Sequence, residues 1–506
     1  MSKILDLNEL KNLRNDLRKK KKTIVYCHGV FDLLHIGHIK HFQKAKTFGD
    51  ILVVSLTSDQ HVNKGPGRPF FNENLRLEAL KSLSVIDYVV INNNPDSANI
   101  IEHLKPDFYC KGIEYKNKKK DITKKIYKEI NILKKNNGKI IFTDEPTFSS
   151  SKLINSHIFQ NKKDLNFLNN FEKKKIDLIK IKKKIEKLKI LIIGETIIDK
   201  YVFCRALGKS GKEPILNFKF VNEELYLGGA GAVANNVSQF SKKVTLCTMI
   251  GDTNNLLNFI QKKLEPNIKL NFFKKKNSST IIKEKLIDNS VGYLHKIVGV
   301  YKFNDENLDL KNENRLNKYL FHNIKKFDLV IVLDYGHGFI SNNTAKIISL
   351  KSSFFSLNAQ INAANSSHHS INKYSNVDCL VLNEKEIRHE MRNNNDELER
   401  LAKDFANKQK IKNILITRGN KGSILYNRKN KKLFYADAYA SKVVDKIGAG
   451  DAMLAIFSIL KKLNLDNKVS LLFSSLAAAQ AVESVGNKEK LNSINLFKSF
   501  QTLLKS

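Results

Sequence analysis

No stretch of this 506-residue sequence approaches the roughly 18 consecutive apolar residues that a membrane-spanning helix needs. Its first residues, MSKILDLNELKNLRNDLRKKKK, hold no apolar core followed by a small-residue cleavage site. A cytoplasmic protein without a membrane partner is expected. Cysteine is sparse, and Cys27, Cys110, Cys204, Cys247 and Cys379 stand far apart with no C-x-x-C pair or metal-ligand spacing. That pattern argues against a disulfide framework and predicts free thiols in a reducing compartment. Acid is short as well: 50 Asp and Glu against 87 Lys and Arg leave a net charge of +37. A field of that sign attracts nucleic acid. Yet the lysines are spread over the whole length among abundant Asn and Ile, and no nucleic-acid-binding signature lies among them. A general Lys/Asn/Ile bias gives the same excess, so nucleic acid is not an expected partner. The field still favours small anionic substrates.

At this length two or three domains are expected. Residues 5–20 carry the apolar spacing of an amphipathic helix, and TIVYCHG reads as a buried strand closing in a glycine turn. A helix over 39–48, a strand in DILVVSL, a helix over 74–83, and strands in IDYVVI, DFYCKG and GKIIFTDE follow. Such alternation predicts a parallel, doubly wound sheet over 1–155. Residues 156–187 are basic and helical in composition, which predicts a connector. A second α/β pattern opens at KILIIGETIIDKY and runs through DLVIVLDYG, CLVLNE and NILITRG to Ala-rich helices beyond Asp451. It predicts a second doubly wound α/β domain over 188–506. There is no internal repeat. The Asn-rich stretch over 358–373 points to no chemistry.

HGVFDLLHIGH, residues 28–38, falls where the first strand gives way to the next helix. In an open parallel sheet this is the ligand crevice, and the free N–H groups of the helix start attract phosphate. Gly29 lets the backbone turn close to a ligand, and Gly37 lets His35 and His38 approach one phosphate together. Imidazoles there can stabilise charge shifting during an in-line displacement, with no nucleophilic side chain needed. A lone histidine at a helix start is ordinarily satisfied by backbone, but H-x-G-H behind a strand and a G-x-F-D turn is far more specific. The stretch resembles the signature of the cytidylyltransferase-like nucleotidyltransferases. Further segments match in order. NKGPGRPFFNENLRLEAL resembles the segment whose Lys and Arg clamp a triphosphate, which implies that role for Lys64 and Arg76. DFYCKGIEY implies Lys111 and Gly112 beside the site, with Glu114 where an Asp is usual. TFSSSKLI implies that Ser149, Ser150 and Ser151 hold the β- and γ-phosphates. Gly29, Phe31 and Asp32 complete the nucleotide side, Val30 standing where Cys or Thr is usual. The resemblance implies a Rossmann-like domain in which His35 and His38 grip the phosphates of ATP or CTP while a sugar phosphate attacks and pyrophosphate departs.

VVDKIGAGDAML places Gly448, Ala449 and Gly450 ahead of Asp451 and an apolar helix. Amides at such a turn make an anion cradle, and an Asp within it can take a proton from a hydroxyl. Taken alone, G-A-G-D is equally a helix-cap pattern. Together with LYLGGAGAVANN it resembles the two signatures of ribokinase-like (PfkB) carbohydrate kinases. That resemblance implies Asp451 as the base, with Gly228, Gly229, Asp199 and Asn236 on the sugar. It also implies Asn383 and Glu386 near Mg²⁺–phosphate, with Arg418 and Gly419 near ATP. Lys446 replaces the usual Thr, and Ala232 stands where an Asn often meets the sugar. Lys283 and Lys285 read either as contacts to a phosphorylated sugar or as a solvated strand face. No cluster suggests a protein-held metal, so Mg²⁺ is expected to enter with the nucleotide.

The two halves together resemble the bifunctional enzymes of ADP-heptose synthesis, with the order of the domains reversed. This implies a kinase acting on a sugar phosphate such as heptose 7-phosphate, a transferase that caps a sugar 1-phosphate with a nucleotide, and a homo-oligomer such as a dimer. A CTP-using transferase for another phosphosugar or polyol phosphate stays open. So does a nucleic-acid-binding protein built on idle nucleotide folds, which would be expected to have lost catalytic positions.

Overall fold

The computed structural model describes residues 3–65, 67–116, 123, 125–144, 177–288, 290, 294–361, 365 and 369–504. Ser149, Ser150, Ser151 and most of the expected connector lie outside these residues. Two compact units are present: one of residues 1–179 with 494–506, the other of residues 180–493.

The first unit is a parallel sheet in the order β1-β4-β3-β2-β5-β6. Its strands are β1 (Lys3–Ile4), β2 (Ile24–Gly29), β3 (Ile51–Thr57), β4 (Tyr88–Asn92), β5 (Phe108–Gly112) and β6 (Lys139–Thr143). Helices α1 (Leu7–Lys19), α2 (Ile36–Lys46), α3 (Glu73–Lys81), α4 (Ala98–Leu104) and α5 (Lys125–Lys135) connect them. Local signals set the helix starts: Asp6 and Glu9 form a reciprocal capping box at α1, and Asn72 caps α3. The strands carry apolar residues on both faces. Val25, Cys27 and Val54 pack with Phe42 on one side, while Ile24, Tyr26 and Val53 pack with Leu10 on the other. A sheet covered on both faces needs this continuous hydrophobic run. The strand order reverses between β2 and β5, which opens a crevice beyond their carboxyl ends.

The second unit holds a nine-stranded sheet in the order β11-β10-β7-β14-β15-β16-β17-β18-β19 and a four-stranded sheet in the order β13-β12-β8-β9. Strands β7 (Lys189–Gly194), β8 (Thr196–Lys209), β9 (Leu216–Gly228), β10 (Lys243–Gly251), β11 (Ile268–Lys275), β12 (Ile281–Asp288) and β13 (His295–Lys302) come first. Strands β14 (Leu329–Asp334), β15 (Phe355–Ala359), β16 (Cys379–Asn383), β17 (Asn413–Thr417), β18 (Ser423–Asn427) and β19 (Lys432–Ala436) follow. The helices that matter below are α6 (Gly229–Ser238), α7 (Glu384–Met391) and α8 (Ala449–Lys462). The large sheet is parallel from β11 to β17, and its last two pairings are antiparallel. Its order reverses between β7 and β14, so a second crevice opens where Glu195 and Tyr335 follow those strands. The four-stranded sheet was not foreseen from the sequence. Its strands mix apolar and charged residues, and β13 is exposed along most of its length.

At the end of β7 a Cβ on Gly194 would lie 2.2 Å from the Leu333 carbonyl oxygen. Only glycine permits β7 and β14 to pair this closely beside the crevice. Gly194→Ala is expected to destabilise the second unit by about 1–3 kcal/mol through overpacking, read as a lower thermal midpoint. An unchanged midpoint would contradict this account.

Candidate active sites

The first crevice lies at the ends of β2 and β5. A Cβ on Gly29 would fall 2.8 Å from the Phe31 ring, so glycine lets that ring fold back over the strand end. Phe31 takes a left-handed φ of 51° and sets its ring 5.1 Å from Phe42 and 5.4 Å from His38. His35 caps α2, its Nδ1 accepting from the Gly37 N–H at 3.1 Å; the ring proton is thereby left on Nε2. The rings of His35 and His38 stack 3.9 Å apart. Burial brings His38 down to about 3, and the charges of His35, Lys64 and His41 add to the effect. Burial also lowers His35, with Lys64 acting in the same direction. Two neutral imidazoles therefore stand at a helix N-terminus, where free amides and the dipole attract an anion.

Two further histidines, His28 and His41, both feel the charge of Lys111. His28 Nδ1 lies 2.7 Å from Ser55 Oγ, and His41 Nδ1 lies 2.7 Å from Thr143 Oγ1. Lys111 sits 5.0 Å from the Tyr109 ring, 4.9 Å from the Tyr115 ring and 3.8 Å from Glu129, with Gly112 next to it at the end of β5. Burial first, and Lys111 second, hold His28 at about 3 and His41 at about 4. His28 and His41 were not singled out as site residues. The signal for His41 was its i+3 spacing from His38 on one helix face.

Two expected phosphate-side residues turn inward. Arg76 is 2% exposed, and its guanidinium donates to Val30 O at 2.6 Å, Phe71 O at 2.9 Å and Asp59 Oδ1 at 2.5 Å. Three of its five N–H donors are thereby committed to bracing the loop. Asp32 is buried, accepting from the Phe70 and Phe71 N–H groups at 2.7 and 3.1 Å and facing Arg68 at 3.5 Å. It shapes the 68–71 loop.

The second site is a cavity of about 730 Å³ in the second unit. At the start of α8, Gly448 has a φ of 87°, and no side chain caps the helix. A Cβ on Gly448 would lie 2.5 Å from Asn487 Oδ1, and around Gly450 one would meet nothing within 4 Å. The first-turn amides of Gly448, Ala449, Gly450 and Asp451 thus line an open anion cradle. Burial pushes the Asp451 carboxyl up to about 7, with Asp199 adding to the rise and Lys283 and the Tyr335 hydroxyl opposing it. That hydroxyl donates to Asp451 Oδ1 at 3.5 Å. Tyr335 was not foreseen; a lone tyrosine after a strand carries no signal of its own.

Asp199, on β8, accepts from Lys285 Nζ at 2.6 Å. Lys283 Nζ lies 5.5 Å from the Tyr335 ring and 5.6 Å from the Tyr301 ring, and burial lowers its ammonium. Both lysines line the cavity. A Cβ on Gly228 would come 2.4 Å from Asp199 Oδ2, and Gly229, with a φ of 56°, begins α6. Behind the cavity, the Glu195 carboxylate accepts from the N–H groups of Tyr335 and His337 at 3.1 and 3.2 Å, holding the loop that delivers Tyr335. At the other end, Asn383 and Glu386 form the reciprocal capping box of α7, at 2.9 and 2.7 Å. Burial raises Glu386 to about 7. Gly419 and Lys446 also line the cavity, while Arg418 stands 3.9 Å from Glu384. Asn236 does not line the cavity: it is buried in α6, and its Oδ1 accepts from the Leu491 N–H at 3.0 Å. Its expected contact with sugar is replaced by a structural bond.

The model of the pfkB family carbohydrate kinases matches residues 187–493, over half of the sequence. The chain belongs to the pfkB carbohydrate kinase family. This pfkB chain also matches the Cytidylyltransferase-like family over residues 26–156. The Bifunctional protein HldE of Syntrophotalea carbinolica is 42% identical over 116 residues, 22% of this chain and 24% of that protein. The HldE of Nitratiruptor is 41% identical over 128 residues, 24% of this chain and 28% of that protein. The Helicobacter pylori HldE is 44% identical over 111 residues, 22% and 24% of the two chains. The chain thus spans about a quarter of the length of these curated relatives. Escherichia coli phosphofructokinase-2 in complex with potassium superposes with a TM-score of 0.50 at 13% identity, covering 62% of this chain and 99% of that one. Its complex with fructose-6-phosphate gives 0.50 at 14%, covering 62% and 99%. These likenesses show the ribokinase-like fold.

Arg76→Ala would strand the Asp59 carboxylate and two carbonyls around a cavity. A loss of about 1–3 kcal/mol in the stability of the first unit, measured by denaturant unfolding, is expected, since the Asp59 carboxylate is 38% exposed and can be rehydrated. A variant of normal stability with weakened nucleotide binding would restore Arg76 to the phosphate clamp.

Proposed function

We propose that this pfkB-family chain makes a nucleotide-activated sugar through two separate reactions. The second site transfers the γ-phosphoryl group of ATP to a sugar phosphate such as heptose 7-phosphate. The first transfers a nucleotidyl group, from ATP by preference, to a sugar 1-phosphate and releases pyrophosphate. The observation that carries this reading is the pairing in one chain of an H-x-G-H helix start and a GAGD cradle with a buried base, each at its own switch point. The reading also takes the protein to be cytoplasmic. It takes it to be a homodimer, supported by the exposed apolar residues Leu207, Leu216, Phe220, Val298 and Val300 on the four-stranded sheet.

In the kinase reaction Asp451 takes the proton of the acceptor hydroxyl as its oxygen attacks the γ-phosphorus. The cradle amides and Lys283 meet the charge that develops on the transferred group. Asp199, ion-paired with Lys285, orients sugar hydroxyls. No group of three or more His, Cys, Asp or Glu side chains among the described residues can hold a metal by itself. A hard cation carried in on the nucleotide fits the donor set: Mg²⁺ takes one or two carboxylates plus waters and phosphates, and the buried Glu386 beside Asn383 is a single carboxylate whose ionised form a cation would stabilise. Bound there, Mg²⁺ would neutralise phosphate charge. In the transferase reaction the phosphate oxygen of the sugar 1-phosphate attacks the α-phosphorus and pyrophosphate leaves. The Nε2–H of His35, the ring of His38 and Lys64 face the phosphates, and Ser149, Ser150 and Ser151 are assigned to the β- and γ-phosphates on sequence alone. Lys111 and Gly112, at the end of β5, are assigned to nucleotide binding.

The experiment is pyrophosphate release from ATP and from CTP across a panel of sugar 1-phosphates, alongside ATP-dependent phosphorylation of the matching sugar phosphates. Turnover of ATP with heptose 1-phosphate supports the reading; turnover with CTP alone would move the substrate elsewhere. His38→Ala is expected to lower pyrophosphate release by about 10²–10³-fold with sugar phosphorylation intact, and Asp451→Asn to do the reverse. Loss of both activities in a folded variant would refute separate sites.

The pH profiles should differ. A base held at about 7 must be ionised to act, so kcat/KM for phosphorylation should rise tenfold per unit up to about pH 7 and then level. Histidines held at about 3 and 4 stay neutral, so they should introduce no break in pyrophosphate release between about pH 5 and 8. A phosphorylation profile that is flat below pH 7 would remove Asp451 from the role of base.

A further inference from the structure

We infer that Lys296, on the four-stranded sheet, is a built-in counter-ion that positions the anion cradle of the second site by acting through Asp445. This rests on the kinase reading of that site. Asp445 lies three residues before Gly448, at the foot of the cradle, with its side chain 2% exposed. Each of its oxygens accepts two hydrogen bonds, and each pair joins the cradle side to the sheet side. Oδ1 takes Lys296 Nζ at 2.6 Å and the Ile447 N–H at 3.2 Å. Oδ2 takes the Tyr201 hydroxyl at 2.7 Å and the Gly486 N–H at 3.1 Å. Gly486 precedes Asn487, whose Oδ1 is the atom packed against Gly448. The carboxylate therefore ties β8 and β13 to both strands of chain that shape the cradle.

A carboxylate buried this deeply requires a cation. Among the described residues its ion pair is with Lys296, while Lys285, also near the Tyr201 ring, is engaged by Asp199. The two ammoniums lie 5.4 and 5.0 Å from that ring. Two ion pairs, Asp199 with Lys285 and Asp445 with Lys296, thus meet at the neutral Tyr201 ring, which both ammoniums approach. An uncompensated Asp445 would take up a proton or pull away from the Ile447 N–H, and either change moves the amides that must meet the transferred phosphoryl group. Lys296 is a positioning residue, since it does not line the cavity and reaches the cradle only through Asp445.

The Lys296 side chain is 33% exposed, so its removal leaves a solvent-accessible gap that a small ammonium ion can enter. The test is Lys296→Ala in the full chain, with and without propylammonium, read as sugar phosphorylation and as hydrogen exchange of the backbone amides over 447–452. Expected are a roughly tenfold or greater fall in kcat with the sugar KM little changed, faster exchange across the cradle, and recovery of both with propylammonium but not with propanol. Asp445→Asn should show the same loss without recovery. Lys302→Ala, near the end of β13, should behave as the parent protein does. Normal cradle exchange in Lys296→Ala, or a loss that propylammonium leaves untouched, would overturn the inference. If the parent protein phosphorylates no sugar, the kinase reading fails, and the exchange data alone decide the role of Lys296.

Discussion

Desolvation of titratable groups at the carboxyl ends of parallel strands is the constraint on which both sites depend. A doubly wound sheet buries its strands on both faces, so side chains at a switch point stand over a low-dielectric core while helix amides face them from the other side. Burial there drives acids and bases alike toward their neutral forms. In the first crevice it keeps four histidines uncharged, leaving Lys64 and Lys111 to supply the positive charge. In the second it lifts Asp451 to about 7, where a carboxylate becomes a useful base near neutral pH.

The same force explains the division of labour. A phosphoryl transfer from nucleotide to hydroxyl must dispose of a proton, and the second site places an acid of raised pKa within its cradle. Attack by a phosphate oxygen releases no such proton, and the first site holds neutral donors and cations instead of a base. Each site is braced from behind by polar bonds that the reaction does not use. Arg76 and Asp32 hold the 68–71 loop, Glu195 holds the Tyr335 turn, and Asp445 holds the foot of the cradle.

Much of this was legible because the informative residues act locally. Glycines at Gly29, Gly229 and Gly448 mark turns where a Cβ would collide, and apolar strands separated by capped helices announce a doubly wound sheet. Side chains whose surroundings are set by distant partners were less legible. The sequence shows Arg76 near a phosphate-type loop, but Val30 O and Asp59 become its partners only through tertiary folding. Asn236 likewise finds Leu491. The four-stranded sheet escaped notice because most of β9 and nearly all of β13 is exposed, so their apolar residues mark no buried face.

The central claim is that one chain moves two different phosphorus atoms of ATP at two sites. It is tested most directly by supplying ATP labelled distinguishably at the α- and γ-phosphorus together with heptose 7-phosphate and heptose 1-phosphate. The account expects the γ label in a sugar bisphosphate and the α label in a nucleotide sugar, each forming at a rate unaffected by omission of the other acceptor. Appearance of only one label in sugar products across the panel of phosphosugars and nucleotides would contradict it.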